Sequence, residues 1–359
     1  MGKILNQGRR WISHGNNVIT LENVHTISDY RAEVTIDLPS SGGVTTRGPP
    51  HTQSMEPTVA VDATSRLLVR LHGGFGFTSG GFIAAVSDIT QRFDDVANTH
   101  TARTALTTAR QELAGYSLNG FGFTSGGFDG GVNVGTTERF DDVINTHTAR
   151  TDAFERRELT GYSLNGFGIT SGGFRTAISG VVERFSDAAN THTARTALNT
   201  VRRELAGYSL NNFGFTSGGD TGAVSGVTEK FDDVANTHTT RTALNTARDR
   251  LTGYSLNGFG FTSGGDTGAV SNVTERFNDV ANTQTARAVL GFAIRALAGY
   301  SLNGFGFTSG GFIAAVTDVT ERFDDVANSN TNRANITGRD QLVGYANNEY
   351  FVNFITTER

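Results

Sequence analysis

Four histidines, His100, His147, His192 and His238, recur inside the same Asn-Thr-His-Thr phrase. Imidazole is the side chain best suited to bind a transition metal or move a proton near neutral pH. At the turn before this phrase or its equivalent in four of the copies stand the pairs Asp94-Asp95, Asp141-Asp142, Asp232-Asp233 and Asp324-Asp325, which would suit a hard cation such as calcium. Arginine also recurs, at Arg103, Arg150, Arg195, Arg241, Arg287 and Arg333, and a second cation at Arg92, Arg139, Arg184, Lys230, Arg276 and Arg322. Guanidinium suits carboxylate, sulfate or phosphate. The spacing argues against a shared metal. Each histidine belongs to a separate copy of a repeated unit, whereas ligands must all lie about 2 Å from one ion. The Asp pairs lack the alternating positions of a calcium loop. We therefore expect structural hydrogen bonds from the histidines, turn capping from the Asp pairs, and carboxylate partners for the arginines. A basic ring for sulfated or phosphorylated polymers is the functional alternative.

Other catalytic apparatus is missing from the pattern. With no cysteine there is no thiolate ligand, disulfide or Cys nucleophile. The only lysines, Lys3 and Lys230, are not followed by Ser or Thr, so no phosphate-cradling GxxxxGK[ST] loop exists. Near-identical copies also run against the single asymmetric constellation that catalysis requires. The expectation is a protein without enzymatic activity, cofactor or metal.

The elements that carry these residues come from one repeated phrase. "GYSLNGFGFTSGG" begins at Gly115, and close variants begin at Gly161, Gly207, Gly253 and Gly299. Its Phe-Gly falls at Phe75, Phe121, Phe167, Phe213, Phe259 and Phe305, a period of 46 residues, and self-similarity of that length marks a repeat architecture. Within a copy the pattern reads as four short strands. "GYSLN" runs into an Asn-Gly hairpin turn, "FGFTSGG" has rings on one face and glycine on the other, "ERF" follows, and "THTART" is a polar last strand. A bare glycine face invites rings from a neighbouring sheet to press on it. Four antiparallel strands per 40 to 50 residues is the arithmetic of a propeller blade.

The Gly-Gly doublet after the second strand, the Glu-Arg-Phe-Asp of the third and the Asn-Thr before the fourth make the chain resemble the kelch repeat family over about residues 66–359. It departs from that family where His100, His147, His192, His238, Gln284 and Asn330 stand in place of Trp. The resemblance implies an all-β, kelch-like β-propeller and names no ligand. Kelch-type copper oxidases need a Cys beside a Tyr, which this chain cannot supply. The C-terminal "GYANNEYFVNFI" repeats a first and second strand and then stops, so it needs partners. The stretches "YRAEVTIDL" (Tyr30 to Leu38) and "PTVAVDA" (Pro57 to Ala63) are candidates. The expected ring is seven-bladed, six repeats plus one composite blade closed by N- and C-terminal strands. In this reading residues 1–28, with the lone Trp11, form an N-terminal arm, 29–359 the propeller, and 39–57, holding all four prolines, an irregular loop.

Variation between copies concentrates after the Gly doublet and in the connections between blades, two places that emerge on one face of an antiparallel blade. Drift in solvent-facing loops is one explanation, and a recognition surface is the other. On the second, Phe82, Phe128, Phe174 and Phe312, with Asp220 and Asp266 at matching positions, are the binding candidates. The rings would stack on sugars or a protein partner and the carboxylates would accept hydroxyl hydrogen bonds. A net charge of −5 excludes general attraction to nucleic acid, and no apolar run approaches the roughly 18 residues that cross a bilayer. The N-terminus lacks a signal-peptide core. The expected function is thus a recognition or structural ring, with a glycan or protein partner and Trp11 as a second docking point. By analogy, absent cysteine and near-identical blades suit a virion component such as a tail-fibre adhesin within a larger assembly. The alternative is a glycan-acting enzyme with its site in the divergent N-terminal part.

Overall fold

The computed structural model describes residues 10–14, 17–24, 32–35, 58–61 and 66–355, with side chains described from 74 to 347. These fall into two compact units, residues 75–347 and the remainder. No helix occurs among the described residues.

Residues 75–347 form a six-bladed β-propeller. Blade I joins residues 343–347 of the strand Val343–Ile355 to residues 75–79 of Arg66–Ser79, then Thr90–Asp94 and Thr99–Arg103. Blade II is Ala114–Leu118, Phe121–Ser125, Thr137–Asp141 and Thr146–Arg150. Blade III is Thr160–Leu164, Phe167–Ser171, Val182–Ser186 and Thr191–Arg195, and blade IV is Ala206–Leu210, Phe213–Ser217, Thr228–Asp232 and Thr237–Arg241. Blade V is Thr252–Leu256, Phe259–Ser263, Thr274–Asn278 and Thr283–Arg287. Blade VI is Ala298–Leu302, Phe305–Ser309, Thr320–Asp324 and Ser329–Arg333.

The expected seventh blade is therefore corrected to six. The Phe-Gly phrase at Phe75 is preceded by "SRLLVRLHGG", which holds no Gly-Tyr strand. That copy has three strands of its own, and the C-terminal "GYANN" is its missing first one. The candidate closing strands pair elsewhere, Ala32–Thr35 with Asn17–Val24 and Thr58–Val61 with residues 67–70. Arg10–His14 pairs with Asn17–Val24 inside the proposed arm. The side chain of Trp11 and the proline-rich loop 39–57 lie outside the described residues.

Glycine decides how blades pack. A methyl on Gly168 would overlap the Tyr116 ring of the preceding blade, and the same pairing joins Gly214 to Tyr162, Gly260 to Tyr208 and Gly306 to Tyr254. The circle closes with Gly76 under Tyr300 and Gly122 under Tyr345. The ring pressing on the bare backbone is thus the phenol of a first strand, not a phenyl group. Its hydroxyl bonds a serine of its own second strand, as in Tyr116 Oη with Ser125 Oγ at 2.9 Å, which satisfies the polar end of a buried ring. The phenylalanines fill the other side, Phe123 stacked on Tyr116 and tilted against Phe185 of blade III with centroids 5.5 Å apart in both pairs. Gly168→Ala should lower stability by about 1–3 kcal/mol through overpacking, read as a fall in the thermal midpoint. Gly166→Asn should be silent, because Asn212 already fills that turn position in blade IV with φ of 63°.

Charge locks the outer strands in the same direction. The second Asp of each turn sits in the next blade from its cations: Asp233 is 2.8 Å from Arg195 and 3.4 Å from Arg184, and Asp95 takes Arg333 and Arg322 across the closure. The first Asp caps its own turn, Asp232 Oδ1 accepting from the amides of Val234 and Ala235 at 2.9 and 3.0 Å. The histidines lie against the third-strand Phe, His147 tilted on Phe140 with centroids 4.7 Å apart. Burial pushes His100 down to about 4, so that ring is neutral.

Each blade connection also carries a buried station. Arg110, Arg156, Arg202 and Arg248 are fully buried against Glu138, Glu183, Glu229 and Glu275 of the following blade. Two stations are incomplete. Arg339 meets Gln91 instead of a glutamate, and Ile294 stands where an arginine would meet Glu321.

Candidate functional site

Two residues beyond each station, the chain turns into the central channel. Glu112, Glu158, Glu204, Arg250, Ala296 and Gln341 all take a left-handed backbone, with φ between 49° and 57°. None is glycine, and such a conformation costs a non-glycine residue free energy that something else must offset. A cyclic hydrogen-bond set does so. Each amide donates to the carbonyl of the preceding rim residue at 2.8–2.9 Å, from Glu158 N to Glu112 O round to Gln341 N to Ala296 O, and Glu112 N to Gln341 O closes the circle. The six side chains and the leucines that follow them line a mouth cavity of about 110 Å³.

The residue before each rim position forms a β-bridge to the residue after a Gly doublet. The pairs are Gln111 with Phe128, Arg157 with Phe174, Arg203 with Asp220, Asp249 with Asp266, Arg295 with Phe312, and Asp340 with Phe82. All six binding candidates therefore sit in one circle around the mouth, on the face that carries the connections. Several are already engaged. Arg157 lies over the rings of Phe128 and Phe174 at 5.0 and 5.4 Å, and Arg295 over Phe312 at 5.0 Å. Asp220 pairs with Arg203 at 2.8 Å and Asp266 with Arg295 at 2.5 Å. The positions form a mixed aromatic and ionic surface rather than bare rings.

Three consecutive rim carboxylates dominate the electrostatics. Glu158 is held by Arg203 at 3.1 Å and Glu204 by Arg250 at 2.8 Å. Burial first, and then the charges of Glu158 and Glu204, push Glu112 up to about 7, with Arg157 and Arg250 opposing. Asp249 rises to about 6, mainly by burial and then by Glu204. Chemically the mouth is rich in acceptors. No cluster of metal-ligating side chains occurs among the described residues.

The rim was missed from sequence because its positions vary within connections that vary throughout. The available signal was the leucine recurring after it and the arginine two residues before it.

No family model matches the sequence, and no curated protein matches it. The solved structure of YjhT is similar with a TM-score of 0.61, over 77% of this chain and 97% of its own, at 12% identity. Likeness at that identity concerns fold alone, and the fold is a β-propeller.

Proposed function

We propose that this protein is a non-enzymatic recognition module that binds a surface glycan or a protein partner through the channel mouth and its surrounding circle. One observation carries the reading. The contacts that hold blades together repeat nearly unchanged, while the rim runs Glu, Glu, Glu, Arg, Ala, Gln and the bridged circle runs Phe, Phe, Phe, Asp, Asp, Phe. A frame that is uniform where it is structural and varied around one opening is suited to display. The blade signature supports a kelch-like ring, and the finer assignment is an adhesin or assembly module of the kind found in virion fibres. The glycan-acting alternative rests on residues 1–73, whose side chains lie outside the described residues.

The test is a glycan array together with partner capture and a turnover assay on the bound ligand. Phe128→Ala should weaken binding at least tenfold, since it removes the ring and releases Arg157, while leaving the melting transition in place. Product formation would overturn the non-enzymatic reading.

A further inference from the structure

The cations of the mouth do not match its carboxylates. Arg203, Arg250 and Arg295 each have a close carboxylate partner, and Arg157 is shared between Glu112 at 3.3 Å and Glu158 at 3.4 Å. Asp340, only 8% exposed, has no paired cation among the described residues, and its Oδ1 accepts no hydrogen bond. Beside it, Gln341 Oε1 accepts no hydrogen bond, nor does Gln111 Oε1 across the Glu112 N to Gln341 O bond of 2.9 Å, and Glu112 Oε2 has only the ion pair with Arg157. These four atoms belong to two adjacent connections, and every one is an acceptor. Burying such groups without donors costs free energy, so the arrangement favours an occupant that supplies them.

The repeat indicates where that occupant fits. In the connection from blade IV to blade V the rim residue is Arg250, which supplies a cation to Glu204 at 2.8 Å. The next rim residue, adjacent to Gln341 through its backbone bond, is Ala296, which ends at a methyl group. Arg157 faces Glu112 from one side and the charge of Arg295 reaches Asp340, but the rim has no cation paired with Asp340 and no donor on the Gln341 and Gln111 oxygens among the described residues.

We propose that the arc of Asp340, Gln341, Gln111 and Glu112, beside Ala296, binds a primary ammonium group carried on a slim stem. The inference rests on the reading of the mouth as a recognition surface and gives that surface its ligand chemistry. An ammonium has three donors and no acceptor, which suits a set of acceptors with a carboxylate at each end. A neutral amide would leave the charge of Asp340 unanswered, and an anion would be repelled.

Protonation of Glu112 competes with the ligand. The groups acting on that carboxyl are Glu158 and Glu204, which raise it, and Arg157 and Arg250, which lower it, on top of burial. Affinity for the ammonium should accordingly rise with pH through about 7, as Glu112 loses its proton.

The experiment titrates the full chain with glucosamine and with Nα-acetyl-lysine amide, each beside its N-acetylated counterpart in which the ammonium is gone. Both amines are expected to bind at least tenfold more tightly than the acetylated forms. Glu112→Gln should weaken them about tenfold, and Ala296→Arg, which supplies a resident cation as Arg250 does, should abolish binding. Ala296→Gln, similar in length but uncharged, should retain most of it, and a thermal melt verifies each fold. Tighter glucosamine binding identifies the source as an amino sugar, and tighter binding of the lysine amide identifies it as a protein side chain. Equal affinity for the acetylated probes, or amine binding unchanged in both Glu112→Gln and Ala296→Arg, overturns the ammonium assignment. Array binding lost with Phe128→Ala but no response to either amine would do the same while leaving the recognition reading intact.

Discussion

Arg202→Met is expected to lower the free energy of unfolding by about 3–5 kcal/mol, because it leaves a buried carboxylate without its cation. The guanidinium has no exposed surface and holds blade IV at four points: Gly218 O at 2.8 Å, Val227 O at 2.7 Å, Thr216 Oγ1 at 2.9 Å and Glu229 Oε1 at 3.2 Å. Glu229 in turn accepts from the amides of Asn199 and Thr200 at 2.8 and 3.0 Å, which fixes the connection in which Arg202 stands. Methionine preserves much of the volume and none of the donors. The double variant Arg202→Met with Glu229→Gln should recover part of the loss, since the buried charge is gone and the side-chain amide still accepts from the connection. The exposed pair Arg175 with Glu155, at 3.4 Å, provides the contrast, and breaking it should cost less than about 1 kcal/mol. Denaturant unfolding of the three variants measures all of this. A loss below about 1 kcal/mol for Arg202→Met would mean that the station does not hold the blades.

What could be read from sequence divides along a physical line. Features written in residues close together in the chain were legible: the Asn119-Gly120 turn, both residues of which have positive φ, the four strands per copy, and the need for something to pack on Gly122. Features that depend on a partner far along the chain were not. The blade count hinged on whether Phe75 lacked a first strand or "GYANN" lacked a second, and both are true of one blade whose parts lie at opposite ends of the repeat array. The expected carboxylate partner of Arg195 is Asp233, which lies on the next blade and so cannot be picked out by nearness in sequence. The Tyr and Phe rings could not be told apart by hydrophobicity, and only the serine that pairs with the phenol hydroxyl selects Tyr for the inner strand. Topology alone puts Phe128, Phe174 and Asp220 on the face that carries the blade connections, where the bridges hold them. Their arginine partners come from connections read as variable, in which the fixed Arg110, Arg156, Arg202 and Arg248 went unnoticed.

Completing both broken stations at once, with Ile294→Arg and Gln91→Glu, should raise stability at pH 7 by about 2–4 kcal/mol. The receiving groups for the first exist, since Thr308, Gly310, Val319 and Glu321 occupy the places of Thr262, Gly264, Val273 and Glu275, which hold Arg248. Restoring the ion pair gives back about 3–5 kcal/mol. It forfeits about 1.5–3 kcal/mol of Ile294 burial, part of which the arginine stem retains. The second change gives the guanidinium of Arg339, already an ionised donor to Gln91 at 2.7 Å, an ionised acceptor as well, which strengthens the bond by about 1 kcal/mol. Arg339, now pushed down to about 10 by burial, would regain a counter-ion. A pH profile separates this account from simple repacking. In the native chain Glu321 is buried, its acidity is weakened chiefly by desolvation, and the amides of Gly291 and Phe292 pull only partly the other way. The folded chain therefore holds that proton more tightly than the unfolded one, so stability is fullest at low pH and declines as pH climbs from the ordinary carboxylate range through the raised value. Arginine at 294 removes the cause, and the decline should disappear with it. Unfolding free energies measured from pH 4 to 8 decide the matter: an unchanged slope in the Ile294→Arg chain would mean that Glu321 is not its origin, and a double variant less stable than the native protein would mean that the two stations flanking blade VI are complete as they stand.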